Sequence, residues 1–313
     1  MKVLSLFDGM SCGRIALDKM GVEVSAYYSS EIDKYATKVS EANYPDIIRL
    51  GDVTKWEEWD IDWSSIDLVT GGFPCQAWSM AGKQLGDKDE RGMLFWTMLD
   101  VMKKVRERNP TANFLIENVK MKKEFEEYIT HHTTEALGEV HKILINSALV
   151  SAQNRNRYYW TSFPVTQPED KGIVLADVIE SEPESPTVMT EKFCNRNAHI
   201  LRDDVSGKAK NLSAMEYVKN GRQGDYIKCG AILGRILKPE AKTDTMTTSH
   251  APKLAVNSDI QDLKYRKLTP TECERLQTAP DGFTAHVSNT QRYKMLGNGW
   301  TVDVIVHILE CIK

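Results

Sequence analysis

Short apolar runs alternate with amphipathic segments along the first half of the chain. The runs at 3–7, 24–29, 47–50, 67–71, 113–117, 141–146 and 158–162 have the length of strands. Between them, the apolar spacing predicts helices over 14–20, 34–43, 94–108 and 122–137, which end at Gly21, before Pro45, before Pro110 and at Gly138. This alternation predicts an α/β fold, a Rossmann-like, mostly parallel sheet with helices on both faces.

The pattern changes after Pro164, where proline and glycine interrupt short mixed segments for about a hundred residues. We interpret this stretch as a second, smaller and irregular domain. Regular structure resumes at Thr269, an expected N-cap followed by Pro270 and, at the capping-box position, Glu272. An apolar helix at 302–312 is expected to return to the sheet. The predicted domains are therefore 1–163, 164–263 and a C-terminal 264–313 that belongs to the first.

Composition indicates a soluble protein. The 313 residues are 41% hydrophobic and 27% charged, and they contain no apolar run long enough to span a membrane. The opening residues already have the pattern of a strand, which leaves no room for a signal peptide, so we expect a cytoplasmic protein. The six cysteines lack CxxC pairs and metal-ligand spacing, which argues against a zinc site and a disulfide framework.

Charge is unevenly distributed along the second predicted domain. The net charge is −4, but residues 169–191 are strongly acidic and residues 192–238 strongly basic. Two solvated surfaces would explain these runs. The alternative is a basic face toward a nucleic-acid backbone.

Three carboxylates stand at the ends of the first three predicted strands. The turn "LFDGMSCG" lacks the GxGxxG spacing of a pyrophosphate site and leaves Asp8 available, which suits a ligand with an ammonium group and no phosphate. Glu31 stands where a carboxylate can accept both hydroxyls of a ribose. Asp52 is a candidate acceptor for an adenine amine. Any one of them alone would be an ordinary turn residue.

Cys75, in "GGFPCQAWS", follows the fourth predicted strand on a loop of small residues. A lone cysteine is usually a small buried hydrophobe, so its chemistry depends on partners. Glu117 ends another strand in "IENV", and "QNRNRYYW" offers Arg155 and Arg157, which lie on one face if the segment is extended. These partners favour an exposed nucleophile.

The motifs "FDGMSCG", "GGFPCQ", "IENV", "QNRNRYYW", "RKLTPTECERLQTAPDGFT" and "RYKMLGNGW" resemble, in order and spacing, those of the DNA cytosine-5 methyltransferases. The resemblance covers the chain except about 164–263, where that family carries its target-recognition domain. The opening and Trp300 look closest to the eukaryotic de novo branch and its phage and bacterial relatives. "GFPC" replaces the commoner double proline, and "GNGW" continues as Thr301-Val302-Asp303, but neither departure removes a catalytic group.

The resemblance implies methylation of carbon 5 of a cytosine flipped out of double-stranded DNA, by a class I S-adenosylmethionine-dependent methyltransferase fold. The Cys75 thiolate would add to carbon 6. Glu117 would hydrogen-bond ring N3 and the exocyclic amine. Arg155 would hold the carbonyl oxygen, with Arg157 and Gln153 supporting the loop.

The resemblance also implies how cofactor and DNA are held. The predicted S-adenosylmethionine pocket comprises Phe7, Asp8, Gly9, Met10, Cys12, Glu31, Ile32, Asp52, Val53, Gly72, Leu94, Asn298 and Trp300. The predicted DNA contacts are Pro74, Gln76, Ser79, Asn118, Gln153, Arg235, Thr247 and Thr248. Residues 76–86 are a candidate loop that closes over the flipped base. A cognate restriction endonuclease would be a compatible but not a required partner, and no metal or membrane is implied.

Two alternatives stay open at this point. A transfer-RNA-directed cytosine-5 methyltransferase would keep nearly the same catalytic residues, but members of that group carry a "CFT" signature that is absent between Ser162 and Lys264. A catalytically silent DNA-binding paralogue would have lost the nucleophile or the donor pocket. Cys75, Glu117 and Arg155 are all present.

Overall fold

A computed structural model describes most of the chain. The described residues are 1–74, 90–181 and 264–312, with the short stretches 187–188, 217–218, 223–228, 235–237, 242–243, 245–246 and 253–255. The predicted site residues Cys75, Gln76, Ser79, Thr247 and Thr248, the rest of the predicted loop at 76–86, and the side chain of Arg235 lie outside them.

A seven-stranded sheet forms the centre of the first region. Its strands are β1 (Lys2–Leu6), β2 (Ala26–Ser30), β3 (Ile48–Arg49), β4 (Leu68–Gly71), β5 (Asn113–Val119), β6 (His141–Asn146) and β7 (Asn156–Thr161). They are ordered β3-β2-β1-β4-β5-β7-β6. The first five run parallel, and β7 pairs antiparallel with β5 and with β6. The prediction of a mostly parallel α/β sheet is confirmed.

The helices pack on both faces of this sheet. They are α1 (Cys12–Lys19), α2 (Lys34–Asn43), α3 (Glu90–Arg108), α4 (Lys123–Leu137), α5 (Pro270–Leu276), α6 (Asn289–Asn298) and α7 (Val302–Leu309). Successive strand side chains point to opposite faces. Val3 and Leu115 therefore join one core cluster with α1 and α7, whereas Leu4 and Phe114 join a second cluster with α3.

The C-terminal segment is fixed by buried polar contacts. The Thr269 hydroxyl accepts the backbone N–H of Glu272, and the Glu272 carboxylate accepts the N–H of Thr269, so the predicted capping box is present. Arg266 donates to both oxygens of the same carboxylate, at 2.5 and 2.6 Å. The apolar helix α7 packs against α1, as the sequence predicts, but ends at Leu309.

A second sheet lies mostly within 164–263, the stretch expected to form a smaller, irregular domain. It contains β8 (Thr187–Val188), β9 (Tyr217–Val218), β10 (Gln223–Lys228), β11 (Arg235–Leu237), β12 (Lys253–Ala255) and β13 (Lys264–Lys267). Their order is β8-β13-β12-β11-β10-β9, and most neighbours are antiparallel. Four of these strands, β8, β9, β11 and β12, have only two or three residues, which is too short for a sequence period to reveal.

Residues 242–246 fasten this second region to the first. Thr243 forms a parallel bridge with Gln153, and its N–H donates to the carbonyl of Ala152 at 2.7 Å. The N–H of Asn154 donates in turn to the carbonyl of Thr243 at 2.8 Å. Among the described helices, none has the length and apolar character required to span a bilayer.

Candidate active site

The predicted site residues that the structure describes gather mainly at the carboxyl edge of the parallel strands. The strand order reverses between β1 and β4, and open α/β sheets bind ligands at such a point. The turn after β1 has positive φ angles at Phe7 (55°), Gly9 (58°) and Ser11 (65°). Left-handed backbone at residues other than glycine is costly and is concentrated at functional sites.

Asp8 points into the protein rather than toward the edge. Its carboxylate accepts hydrogen bonds from Ser11 (2.5 Å), Tyr27 (2.8 Å) and Ser29 (2.8 Å). Burial raises its pKa, although these hydrogen bonds oppose the shift. The buried position of Asp8 does not support the expected contact with a ligand ammonium, because these bonds use both of its oxygens to hold the turn against β2.

Glu31 closes the same turn from the end of β2. Its carboxylate accepts the backbone N–H groups of Gly9 (2.7 Å), Ile32 (2.8 Å) and Asp33 (2.7 Å). Burial raises its pKa despite these three bonds. The side chain of Ile32 is 77% exposed, an unusual position for a large apolar residue beside a buried acid. This pair offers a polar acceptor and an apolar surface to one ligand.

Asp52 follows β3 and lies near Glu31 in the fold. The Ser30 hydroxyl, next to Glu31, donates to the carbonyl of Gly51 at 2.8 Å. Asp52 accepts the N–H and hydroxyl of Thr54 with a single oxygen, Oδ1, and these bonds lower its pKa. Val53 is buried.

Glu117 and Arg157 form an ion pair on one face of the sheet. Glu117 pairs with Tyr159 across β5 and β7, and Val119 pairs with Arg157, so the two charged residues are diagonal neighbours. Arg157 Nε lies 3.0 Å from Glu117 Oε1. The indole Nε1–H of Trp300 donates to Glu117 Oε2 at 3.0 Å. Glu117 is only 8% exposed, so each oxygen of a nearly buried carboxylate is held by an N–H donor.

Arg155 occupies a different position from Arg157. It precedes β7, and its guanidinium donates to the carbonyls of Gly299 (2.9 Å), Gly297 (3.2 Å) and Met246 (3.4 Å). The residue is 2% exposed. Arg155 lies directly before β7, where the N–H of Ser147 donates to its carbonyl, and its guanidinium has different partners from that of Arg157.

The chain that leads to Cys75 runs beside Glu117. The Asn118 side chain donates to the carbonyl of Phe73 at 3.0 Å, which ties the end of β5 to the segment after β4. Pro74 is half-buried and is the last described residue before the cysteine. Cys12 is not a competing nucleophile, because burial raises the pKa of its thiol to about 12 and keeps it protonated at neutral pH.

Two residues expected to contact DNA are buried. Asn118 is 1% exposed and already bonded to backbone, and Gln153 is fully buried beneath the bridge to Thr243. Neither amide atom of Gln153 has a hydrogen-bond partner within the described part of the chain. The direct DNA contact expected for these two side chains is thus not supported by their positions.

The remaining cofactor candidates lie in several different places. Met10 and Cys12 are buried and pack toward Gly299, where a Cβ would lie 3.3 Å from each side chain. Gly72 lies beside Trp300, and Asn298 is exposed at the end of α6. Leu94 packs with the core cluster on the α3 face.

Sequence reasoning missed the residues that support the turn. Tyr27 and Ser29 bind Asp8 from inside the sheet, and the only signal was a pair of polar groups in a strand expected to be buried. Met246 and Thr243 were missed as the connection to the second sheet, and no local motif marks them.

Comparison with known proteins identifies close similarity over the full length. The profile of the family described as C-5 cytosine-specific DNA methylase matches residues 1–313. Type II methyltransferase M1.ScrFI of Lactococcus lactis subsp. cremoris is 34% identical over 99% of this chain and 77% of its own length. Type II methyltransferase M.HpaII of Haemophilus parainfluenzae is 32% identical over 96% of this chain and 86% of its own.

Solved structures share the fold. A Spodoptera frugiperda DNMT2 variant has a TM-score of 0.63 at 18% identity and covers 99% of this chain and 98% of its own. The Entamoeba histolytica methyltransferase EhMeth has a TM-score of 0.69 at 14% identity, with 99% and 97% covered. At these identities the likeness extends to the fold alone.

Proposed function

The chain belongs to the family of C-5 cytosine-specific DNA methylases, and from that membership we propose how its residues methylate DNA. The reaction is transfer of a methyl group from S-adenosylmethionine to carbon 5 of cytosine. The observation that carries the residue assignment is the Glu117–Arg157 pair, which lies at the end of β5 beside the segment that leads to Cys75.

The chemistry begins at carbon 6 of the cytosine. The Cys75 thiolate adds there, a new C–S bond forms, and the electrons of the C5–C6 double bond make carbon 5 nucleophilic. A proton from solvent, relayed by the Glu117 carboxylate, adds to N3 and so neutralises the charge that develops on the ring. Once carbon 5 carries the methyl group, a base removes its hydrogen, the C–S bond breaks, and the thiolate leaves.

We assign the carbonyl oxygen of the base to Arg157 rather than Arg155. Arg157 already contacts Glu117, so a base held by the carboxylate would meet its guanidinium. Arg155 is committed to backbone carbonyls that join β7, α6 and the 245–246 segment. Its role is to hold these three parts together.

The edge residues fit S-adenosylmethionine. When bound, the cofactor supplies the methyl group that carbon 5 accepts. Glu31 would accept the ribose hydroxyls and the exposed Ile32 would cover one face of the adenine. Asp52 would accept from the adenine amine through Oδ2. The Phe7–Gly9 turn and Trp300 would flank the amino-acid end.

The second sheet and its neighbouring basic segment are proposed to bind the DNA, with 164–263 as the target-recognition domain. Lysine and arginine side chains of 192–238 would contact phosphates, and they would leave base reading to a few polar side chains. The base must leave the helix before Cys75 can reach carbon 6. A cytoplasmic location and a restriction endonuclease partner belong to the same proposal.

The function is tested by digesting treated DNA to nucleosides. Unmethylated DNA incubated with the protein and S-adenosylmethionine should yield 5-methyl-2′-deoxycytidine by mass spectrometry. Unmodified transfer RNA treated in parallel should yield no 5-methylcytidine, the corresponding ribonucleoside. The reverse result, methylation of the RNA alone, would assign the chain to the RNA-directed alternative.

Replacement of Glu31 by alanine is expected to weaken S-adenosylmethionine binding. Loss of hydrogen bonds to a charged acceptor costs about 1.5–3 kcal/mol, so the dissociation constant should rise about 10- to 100-fold in calorimetry. The loss should be much smaller for an analogue without ribose hydroxyls, because its binding never used the carboxylate. Equal losses for both ligands would refute the ribose role.

Binding to wild-type protein should also depend on pH through Glu31. Burial raises the pKa of Glu31 in the folded protein. As the pH falls, its carboxylate is therefore protonated at a higher pH than that of an ordinary glutamate. Affinity should therefore decline on acidification, and the Glu31→Ala variant should show a flatter profile.

Substitutions of Arg155 and Arg157 are expected to have different effects on the methylation rate and the melting temperature. Arg157→Ala should lower the single-turnover rate about 10²- to 10³-fold, with a smaller fall in melting temperature than Arg155→Ala because Glu117 keeps its bond from Trp300. Arg155→Ala leaves buried carbonyls without a hydrogen-bond donor. It should therefore lower the melting temperature by several degrees, because each kcal/mol of lost folding stability corresponds to about 2–4 °C. An unchanged melting temperature in Arg155→Ala, with the larger rate loss, would restore the sequence-based assignment.

A further inference from the structure

Trp300 touches both halves of the site. It follows α6, far along the chain from the glycine turn, yet its Cζ3 lies 3.8 Å from the position of a Cβ on Gly13, in the first turn of α1. At the other end of the ring, Nε1–H reaches Glu117 Oε2. A single indole thus bridges the first turn of α1 and the end of β5.

The bond to Glu117 is geometrically constrained. Arg157 holds Oε1 and Trp300 holds Oε2, each at 3.0 Å, and the three side chains come from three different segments. Two donors, one on each oxygen, fix the orientation of the carboxylate plane, whereas a single donor leaves it free to rotate. Each carboxylate oxygen has two acceptor positions, so these bonds are compatible with further contacts to a base.

Gly72 provides the space for this arrangement. A Cβ at this position would lie 3.1 Å from Glu117 Oε2 and 3.1 Å from Trp300 Nε1. Real Cβ atoms seldom approach other atoms so closely, so any side chain here would displace one partner of the hydrogen bond. The bond therefore packs directly against the backbone segment that continues to Cys75.

We infer that Trp300 is a positioning residue for Glu117, whose indole N–H fixes the orientation in which the carboxylate meets the cytosine. The inference rests on the proposed function and extends it, because a residue expected only in the cofactor pocket acts on the base through Glu117. A side chain that only packed against cofactor would not need an N–H directed at a nearly buried carboxylate.

The test is a double-mutant cycle between Trp300→Phe and Glu117→Gln. Phenylalanine keeps an aromatic ring but removes the N–H. The first readout requires no cofactor: release of tritium from carbon 5 of cytosine in DNA, which follows reversible addition of the Cys75 thiolate. The second is single-turnover methylation at saturating S-adenosylmethionine. Trp63→Phe, at a half-buried tryptophan away from these contacts, is the matched control.

Trp300→Phe should slow both readouts about tenfold in the wild-type background, the rate equivalent of one hydrogen bond to a charged group. In the Glu117→Gln background the same change should cost less than about twofold. Gly72→Ala should reproduce the loss in the wild-type background by forcing the partners apart. Trp63→Phe should leave both rates unchanged.

Equal losses in the two backgrounds, or a rise in the KM for S-adenosylmethionine with an unchanged rate, would overturn the inference. If Trp300→Phe does not fold, the benzothiophene analogue of tryptophan, in which sulfur replaces the N–H, takes its place in the cycle. Failure of the proposed function has a separate signature. In that case the wild-type protein itself would methylate no DNA cytosine.

Discussion

Replacement of Cys75 by serine is expected to abolish methyl transfer, with a rate loss on the order of 10⁴-fold or more. A serine hydroxyl is almost wholly protonated at neutral pH and is a weaker nucleophile than a thiolate, so addition to carbon 6 should fail. S-adenosylmethionine binding should stay near normal, since the pocket residues are unchanged. Single-turnover kinetics and calorimetry measure the two quantities separately.

The variant also has a direct chemical assay. DNA with 5-fluorocytosine at the target should become covalently attached to the wild-type protein, because the carbon 5 fluorine cannot be removed as a proton is. Cys75→Ser should form no such complex. Cys311→Ser, a change at a half-buried thiol in the C-terminal segment, should react like the wild type. Full turnover by Cys75→Ser would show that Cys75 is not the nucleophile.

Glu117→Gln is expected to have the second-largest effect, a loss of about 10²- to 10⁴-fold in the single-turnover rate. The amide cannot transfer a proton to N3, and its NH₂ group would face either Arg157 or Trp300, both of which are donors. Cofactor binding and melting temperature should change little by comparison.

The control for this variant is Glu127→Gln, an exposed glutamate on α4 that pairs with Lys123. It should methylate at the wild-type rate. If Glu117→Gln retained the wild-type rate as well, proton delivery to N3 would have to come from another group, and the role given to the Glu117–Arg157 pair would be wrong.

The sequence was sufficient for the main sheet because its signals are local. Each strand there is a short apolar run, and each helix has its own ending signal, such as Gly21 or Gly138. The capping box at Thr269 is equally local, since all its bonds join residues three positions apart. The predicted elements and the observed ones differ mostly by a few residues at their ends.

The direction of individual side chains was not predictable in the same way. Asp8 has the sequence position of a ligand contact. Its side chain instead lies inside the protein, where the hydroxyls of Tyr27 and Ser29, on the neighbouring strand β2, donate to its carboxylate. Arg155 and Arg157 have the right spacing for one strand face, but Arg155 donates to backbone carbonyls whereas Arg157 pairs with Glu117. In both cases tertiary contacts decide which way the side chain points.

The second sheet could not be predicted from the sequence, for a different reason. β8 and β9 have two residues each, and the partner of β8, β13, is distant in sequence. A two-residue strand has no period, so only the assembled sheet identifies it. The division of the chain at 164 and 263 stays a prediction.

The central claim is methylation of cytosine carbon 5 in DNA, and the most direct measurement maps that product along a sequence. Purified protein would be incubated with unmethylated plasmid and S-adenosylmethionine, and the protected cytosines mapped by bisulfite sequencing. The account predicts protection in one short recurring context, and none with Cys75→Ser. If no cytosine were protected although the protein bound the cofactor, the account would be contradicted, and transfer RNA would become the substrate to examine.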